Sequence, residues 1–237
     1  MAERSTPRYI WAEAPLDPAP SLSRDKIVEV AITIVDAEGL DALSMRRLGT
    51  ELSVRPMSLY RYVPSKDDLL ELINDAVLGE QRLPEKPSGD WRADLRLAAT
   101  EQRAVALRHP WSVTTSIGRP AMGPNAVRVT EFAMAALDGF GLDMDTINGL
   151  VGMLRGYVFG NVAEDLAQAE LTRRTGITDE QWEEIFIPWV ERLLADGRHP
   201  MMARFIREAD HWNDDRVFEF GVERILDGIA AALPSSA

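Results

Sequence analysis

The chain has 237 residues, with 26 Lys and Arg against 38 Asp and Glu, a formal net charge of −12, no cysteine and three histidines. Without thiols or clustered histidines it offers no disulfide, no thiolate nucleophile and no zinc site, which fits a reducing cytoplasm. A charge this negative argues against nucleic acid as a partner unless the charge is unevenly distributed along the chain.

Residues 1–22 are predicted to form a flexible arm. Four prolines in this stretch prevent a regular helix, and acidic residues interrupt any apolar run that could act as a signal sequence. The arm also carries Trp11, Arg4 and Arg8. With these side chains the arm could lie on DNA or on its own domain. The interpretation that we adopt is a free tail.

Three helices are predicted in the next segment, at about 24–38, 45–52 and 56–62. Ser44 is a favourable N-cap for the second helix, and Pro56 suits the first turn of the third because its missing N–H costs nothing there. The second and third helices are joined by a break of only a few residues. This arrangement is typical of a helix-turn-helix.

The rest of the chain also has helical periodicity, and no run alternates long enough to predict a strand. The predicted helices lie at about 66–81, 91–109, 124–138, 145–170, 179–196 and 213–233. We therefore predict an all-α fold. It consists of a helix-turn-helix domain at 23–70, a connecting helix at about 66–81, and a larger helical domain at 82–237.

Basic charge is concentrated between Ser44 and Lys66. This window holds five basic residues and one acidic residue, whereas residues 67–237 hold 17 basic and 29 acidic residues. A positive window on two short helices joined by a tight turn is typical of a DNA reader. The net charge of the whole chain therefore does not exclude DNA.

Candidate DNA contacts follow from the side chains that such a unit can present. Phosphates are bound by cations, hydroxyls and helix N-termini, and base edges are reached from the first turns of the recognition helix. The predicted set is Ser44, Arg46, Arg55, Pro56, Met57, Ser58, Tyr60, Tyr62 and Lys66. From charge and turn alone, a solvated basic face on an ordinary helix bundle fits equally well.

Residues 23–70 resemble the DNA-binding domain of the TetR family of bacterial transcriptional regulators. The paired helices, the segment Leu59-Tyr60-Arg61-Tyr62 and the following Lys66 carry the resemblance. Two positions depart from the family pattern: Ser53 stands where the turn usually has glycine, and Gly49 where a small alanine is usual.

A weaker resemblance to the ligand-binding domain of the tetracycline repressor subgroup covers Gly118-Arg119-Pro120 and the helix pair from 124 to 170. Positions that recognise tetracycline and magnesium in that subgroup carry residues such as Ala98, Gln102 and Thr115, so this ligand is not expected. The resemblance implies a cytoplasmic homodimer that binds double-stranded operator DNA and a small-molecule effector, without a cofactor.

Aromatic, methionine and amide side chains of the larger domain are candidates for an effector pocket. Such pockets are mostly apolar, with a few polar groups that fix the orientation of the ligand. The predicted set is Gln102, Trp111, Arg119, Met122, Phe132, Met153, Tyr157, Asn161, Phe186 and Trp189. Each of these residues also fits ordinary core packing.

The helices at 145–170 and 213–233 are predicted to form the homodimer interface. Gly152, Gly156 and Gly160 form a row on the first helix. An interior glycine costs about 1 kcal/mol relative to alanine, so the row indicates close approach of another backbone or a ligand. The apolar stripes are Ile147, Val151, Leu154, Val158 and Val162 on the first helix, and Phe218, Val222, Ile225, Ile229 and Leu233 on the second. The first helix is too short and too charged to span a membrane.

The sequence leaves two alternatives to a DNA-binding regulator, a magnesium-dependent enzyme and a helical interaction module. The segment Asp67-Asp68-Leu69-Leu70-Glu71 has a spacing that could hold Mg²⁺ in an all-helical isoprenoid enzyme, but no matching acidic cluster faces it. Acids in a first turn are also favoured by the helix dipole. The other alternative is a helical interaction module without DNA binding. The main prediction is a ligand-responsive repressor that leaves a palindromic operator when a small apolar or amphipathic effector binds. We do not expect the protein to be an enzyme.

Overall fold

The computed structural model describes residues 10–12, 22–115 and 122–234 of the chain. In these ranges it has eleven α-helices and no β-strand, which confirms the all-α prediction. The helices are α1 (Arg24–Glu38), α2 (Met45–Glu51), α3 (Pro56–Leu59), α4 (Lys66–Leu78), α5 (Trp91–Arg108), α6 (Trp111–Thr115), α7 (Pro124–Ala135), α8 (Met144–Thr175), α9 (Asp179–Leu194), α10 (Pro200–Glu208) and α11 (Asp214–Ala232). Among the described helices, none combines the length and apolar character needed to cross a bilayer.

Hydroxyl caps set where the first helices begin. The Oγ atoms of Ser23, Ser44 and Ser65 accept backbone N–H bonds at the starts of α1, α2 and α4, each at 3.1 Å. These caps satisfy N–H groups that have no partner inside the helix. The short helices α6 and α10 were not predicted, since five and nine residues give little periodicity.

Residues 10–12 of the arm form a 3-10 turn on the N-terminal domain. Ile10 is only 2 % exposed and belongs to the same core as Ile27 and Leu48. At these residues the arm lies on its own domain, unlike the free tail that we expected. Arg4 and Arg8 lie outside the described residues.

The helix-turn-helix explains both departures from the family pattern. Ser53 has a φ of 55°, the left-handed conformation that glycine adopts without strain. The turn folds back onto α2, and the Val54 N–H donates to the Gly49 carbonyl at 2.8 Å. A Cβ at Gly49 would lie 2.9 Å from the Val54 carbonyl oxygen, so this close turn requires glycine there.

The larger domain packs α5, α8 and α11 around a second core. Its buried residues include Leu154, Val158, Phe218 and Ile229. The buried members of the predicted apolar stripes therefore face the protomer's own core, and dimerisation through these two helices stays a prediction. Sequence periodicity shows that a face is apolar but not which neighbour covers it.

Arginines on α5 hold α11 through an ionic cluster. Glu223 accepts from Arg96 Nε at 2.6 Å and from Arg92 Nη2 at 2.7 Å. These hydrogen bonds, Arg96 first and then Arg92, lower the pKa of Glu223 to about 2. Arg92 also pairs with Asp227 at 2.6 Å.

We expect this cluster to make stability depend on pH. The unfolded chain has a Glu pKa of about 4.3, so the stabilisation is complete above that pH and is lost as the pH falls through about 2. Between pH 5 and pH 3, the urea midpoint of Glu223→Gln should therefore fall less than the urea midpoint of the unaltered protein. Glu219→Gln, on the exposed face of α11, is the control and should keep the full shift. An unchanged pH dependence in Glu223→Gln would contradict the assignment.

Candidate functional site

Helix α3 presents a short row of exposed side chains. Met57 is 76 % exposed and Tyr60 43 %, and Pro56 and Ser58 are also exposed, while Leu59 is fully buried. Leu59 anchors the helix in the core, so the opposite side of α3 is presented to solvent. A thioether, a hydroxyl and a phenol are side chains that can contact base edges and phosphates in a groove.

Tyr62 does not belong to this exposed row. It is 8 % exposed and packs in the N-terminal core, so the prediction that it faces outward beside Tyr60 is wrong. Helix α3 ends at Leu59, and the Tyr62 and Val63 N–H groups both donate to the Leu59 carbonyl at 2.9 Å. Residues two apart face different sides of a helical turn, so Tyr60 and Tyr62 cannot share a surface.

Four cations surround the helix-turn-helix without an ion pair among the described residues: Arg46, Arg55, Arg61 and Lys66. Arg47 differs, because it pairs with Glu38 at 2.8 Å and with Glu51 at 2.5 Å. Its charge is therefore neutralised within the domain. Ser44 accepts the Arg47 N–H as the cap of α2, and its own hydroxyl proton remains available to an acceptor such as a phosphate.

A small cleft lies between α4, the corner of α5 and α6, and α8. It is lined by Asn74, Val77, Leu78, Gln81, Gln102, Val105, Ala106, Ser112 and Phe159. The free space in it is about that of one water molecule. Of the predicted pocket residues, Gln102 lies in this lining.

The polar residues of the cleft are uncharged, and most are unpartnered. Gln81 is 6 % exposed and Ser112 is 7 % exposed. Among the described residues, their side chains and that of Gln102 have no hydrogen-bond partner. Asn74 accepts from Thr115 Oγ1 at 2.6 Å. The polar atoms of Gln81, Gln102 and Ser112 are not among the fully buried atoms without a partner, so they remain accessible to water or to a ligand with its own donors and acceptors.

Sequence reasoning missed Asn74, Gln81 and Ser112. Asn74 and Gln81 lie on or just beyond α4, which we assigned to the connection between domains and not to a pocket. Their spacing with Val77 and Leu78 places all four residues on one helical face. This pattern of amides beside apolar residues could have indicated that the face lines a pocket.

Several predicted pocket residues have other roles within the protomer. Trp111 is buried, and its Nε1 donates to Asp36 Oδ1 on α1 at 2.7 Å. The Tyr157 hydroxyl donates to the Val217 carbonyl at 3.0 Å and so fastens α8 to α11. Both side chains join elements of the fold and are absent from the lining of the cleft.

The remaining predicted residues are dispersed. Asn161 is 8 % exposed, with no partner for its Oδ1, and Phe132 is buried on α7. Met122 and Met153 are about half exposed. Phe186 stacks between Trp182 and Trp189 on α9, away from the cleft lining. Arg119 lies outside the described residues.

Two family profiles match the chain. Residues 27–73 match the profile described as bacterial regulatory proteins, tetR family. Residues 83–233 match the one described as tetracyclin repressor-like, C-terminal domain. Together these profiles cover the helix-turn-helix and nearly all of the larger domain.

Similar proteins include two regulators from actinomycetes. The HTH-type transcriptional repressor DrrR1 of Streptomyces coeruleorubidus is 42% identical over 216 residues, covering 90% of this chain and 78% of that protein. An HTH-type transcriptional regulator of Saccharopolyspora erythraea is 40% identical over 217 residues, covering 90% of this chain and 86% of that protein. The structure also superimposes on Streptomyces coelicolor ActR in complex with actinorhodin, with a TM-score of 0.77 and 32% identity over 92% of this chain and 100% of ActR.

Proposed function

Because the chain belongs to the TetR family of DNA-binding transcriptional regulators, which are not enzymes, we propose that it is a cytoplasmic homodimeric repressor whose effector occupies the cleft beside α4. The observation that carries the proposal is the connection made by α4. This helix begins at the basic helix-turn-helix, and Asn74, Val77 and Leu78 in its last turns line the cleft. An effector can therefore act directly on the helix that carries the reading unit.

DNA is read by the exposed row on α3. Met57 and Ser58 in its first turn contact base edges in the major groove, and Tyr60 contacts a phosphate. Arg46, Arg55 and Lys66 bind phosphates and set the register on the duplex. Residues 67–237 carry the excess acid, which keeps other faces of the molecule away from DNA.

The effector is an uncharged, largely apolar molecule with its own hydrogen-bond donors and acceptors. The cleft lining contains amides, a hydroxyl and apolar side chains but no charged residue. Actinorhodin, bound by the related ActR, is a reasonable probe of this site. Because the cleft holds about one water, an effector can enter only by separating α4 from the α5 and α6 corner, and it therefore selects a different conformation.

Dimerisation uses the free faces of α8 and α11. Among the residues that the structure describes, an added Cβ at Gly149, Gly152, Gly156 or Gly160 would meet nothing within 4 Å. The row leaves room for close approach of a second molecule. We therefore assign the row to the partner's backbone, with Val217, Phe220 and Gly228 exposed on α11 alongside.

DNase footprinting on the DNA upstream of its own gene tests the proposal. We expect a protected palindrome whose half-sites are about one helical turn apart, and protection that weakens when actinorhodin is added. Absence of protection at low salt would refute the repressor function. Protection that persists with saturating actinorhodin would refute this effector class.

Variants of the phosphate contacts should behave differently from variants of the base contacts. Arg46→Ala or Lys66→Ala should weaken binding to all sequences and reduce the slope of log K against log salt by about 1. Met57→Ala should instead change which base is preferred in the half-site. The control is Arg47→Ala, because Arg47 is neutralised by Glu38 and Glu51 and should leave the salt slope unchanged. Equal slopes for all four proteins would contradict the assignment.

A further inference from the structure

His109 lies where the two domains meet. It follows the last residue of α5, is 4 % exposed, and is placed between two carboxylates. Its Nδ1 is 2.8 Å from Asp36 Oδ1 on α1, and its Nε2 is 3.2 Å from both carboxylate oxygens of Glu80, just beyond α4. One ring therefore joins the corner of the larger domain to two elements of the reading unit.

The two ring nitrogens of His109 each contact a carboxylate, and the three residues together form a joint between the domains. An ionised carboxylate only accepts, so each ring N–H donates to the carboxylate that it faces. Trp111 Nε1 donates to the same Asp36 oxygen at 2.7 Å, and Arg108 on the other side pairs with Glu80. The two carboxylates face opposite edges of the ring, and these residues do not form a metal-binding cluster.

The joint borders the cleft. Val105 and Ala106 line the cleft just before His109, and Ser112 lines it just after. Gln81 lies next to Glu80 on the other wall. A molecule that separates α4 from the α5 and α6 corner must therefore pull apart the same elements that His109 holds together. Leaving a buried ring nitrogen without its hydrogen-bond partner is costly, so the joint resists small displacements.

We propose that His109, with Asp36 and Glu80, is a positioning residue that fixes the orientation of the reading unit relative to the larger domain. In this role it transmits occupancy of the cleft to α1 and α4. The inference rests on the proposed function, because it assigns the route by which that effector site controls DNA binding. His109 contacts neither DNA nor the cleft and acts only through the elements it joins.

Distance measurements by electron spin resonance test this directly, because the chain has no native cysteine. Lys26→Cys on α1 and Arg174→Cys on α8, both exposed, give one label in each domain. When the labelled protein is mixed with an excess of unlabelled protein, most of the dimers that carry label have only one labelled protomer. Wild-type background should give one narrow distance distribution, and His109→Gln should broaden it at least about twofold and weaken operator binding about tenfold.

Matched variants separate positioning from simple stability. Asp36→Asn should broaden the same distribution, and the double variant Asp36→Asn with His109→Gln should be no broader than either single one. His199→Gln, at an exposed histidine, should change nothing. A lower thermal midpoint with an unchanged distribution in His109→Gln and Asp36→Asn would overturn the proposal. Because these distances are measured without DNA, a wild-type protein that fails to bind an operator would refute only the proposed function.

Discussion

The Gly156→Leu variant should be a folded monomer at concentrations where the unaltered protein is a dimer, and it should bind operator DNA at least ~100-fold more weakly. Within the described part of the chain, a Cβ at Gly156 meets nothing within 4 Å, so a larger side chain should not disturb the fold of α8. Leucine is also a better helix former than glycine by about 1 kcal/mol. The added side chain occupies the space that we assign to the partner's backbone.

The loss of operator affinity follows from loss of the second reading unit. In a dimer, binding of one half-site places the other unit at high effective concentration near the second half-site. A monomer lacks this advantage although its own DNA contacts are intact. Its residual binding should therefore keep the same base preference.

Light scattering coupled to size exclusion measures the mass, circular dichroism the helix content, and fluorescence anisotropy the DNA affinity. Glu131→Leu, on an exposed position of α7, controls for adding a leucine to the surface and should remain dimeric. A dimeric Gly156→Leu protein with unchanged DNA affinity would exclude the glycine row from the interface.

The glycine row also shows what the sequence could predict about these helices. Glycines repeated at helical spacing predict close approach of another backbone or a ligand to α8; among the described residues nothing approaches them, so this stays a prediction. The apolar stripes could not show which of their residues face the core, because a core and a dimer interface need the same periodicity. Only tertiary packing shows that Val158 and Phe218 face inward.

Local chemistry predicted the helix-turn-helix better than the cleft. Ser44, Ser65 and Pro56 mark helix starts by interactions within a few residues, so these starts were predictable. Glu38 at the end of α1 pairs with Arg47 on α2, nine residues further along the chain. Counting charges along the sequence could not show that this pair neutralises Arg47. Gln81 meets Gln102 in the cleft only because α4 packs on α5, and sequence spacing carries no information about that contact.

The largest loss of stability is expected from Gly123→Ala, because Gly123 lies against the clamp that fixes α4 to α7. Asp75 on α4 is 3 % exposed and accepts from the Ala126 N–H at 2.9 Å and from Asn125 Nδ2 at 3.1 Å. Its carboxylate therefore caps the N-terminus of α7, where the helix dipole favours negative charge. From α7, Arg128 Nη2 donates to the Gln81 carbonyl at 3.3 Å.

A methyl group at position 123 would overlap the Asp75 carboxylate and lie 2.7 Å from Trp11 Cζ2. The carboxylate must then leave the N–H groups of α7, and both sides lose buried hydrogen bonds to a charged group. Such a loss costs about 3 kcal/mol, which lowers the thermal midpoint of a chain of this size by about 6–12 °C.

Asn125→Ala is the graded control for this clamp, because it removes one side-chain donor to Asp75 and leaves the backbone donors in place. It should cost only about 1 kcal/mol. Differential scanning calorimetry measures both midpoints, and circular dichroism confirms that each variant is folded below its transition. If Gly123→Ala melted within about 2 °C of the unaltered protein, the Asp75 clamp would not be a principal support of α4. If both variants lost stability in the predicted ratio, α4 would be fixed to α7 at Asp75, so an effector that enters the cleft beside α4 would have to displace a helix that is held on its far side.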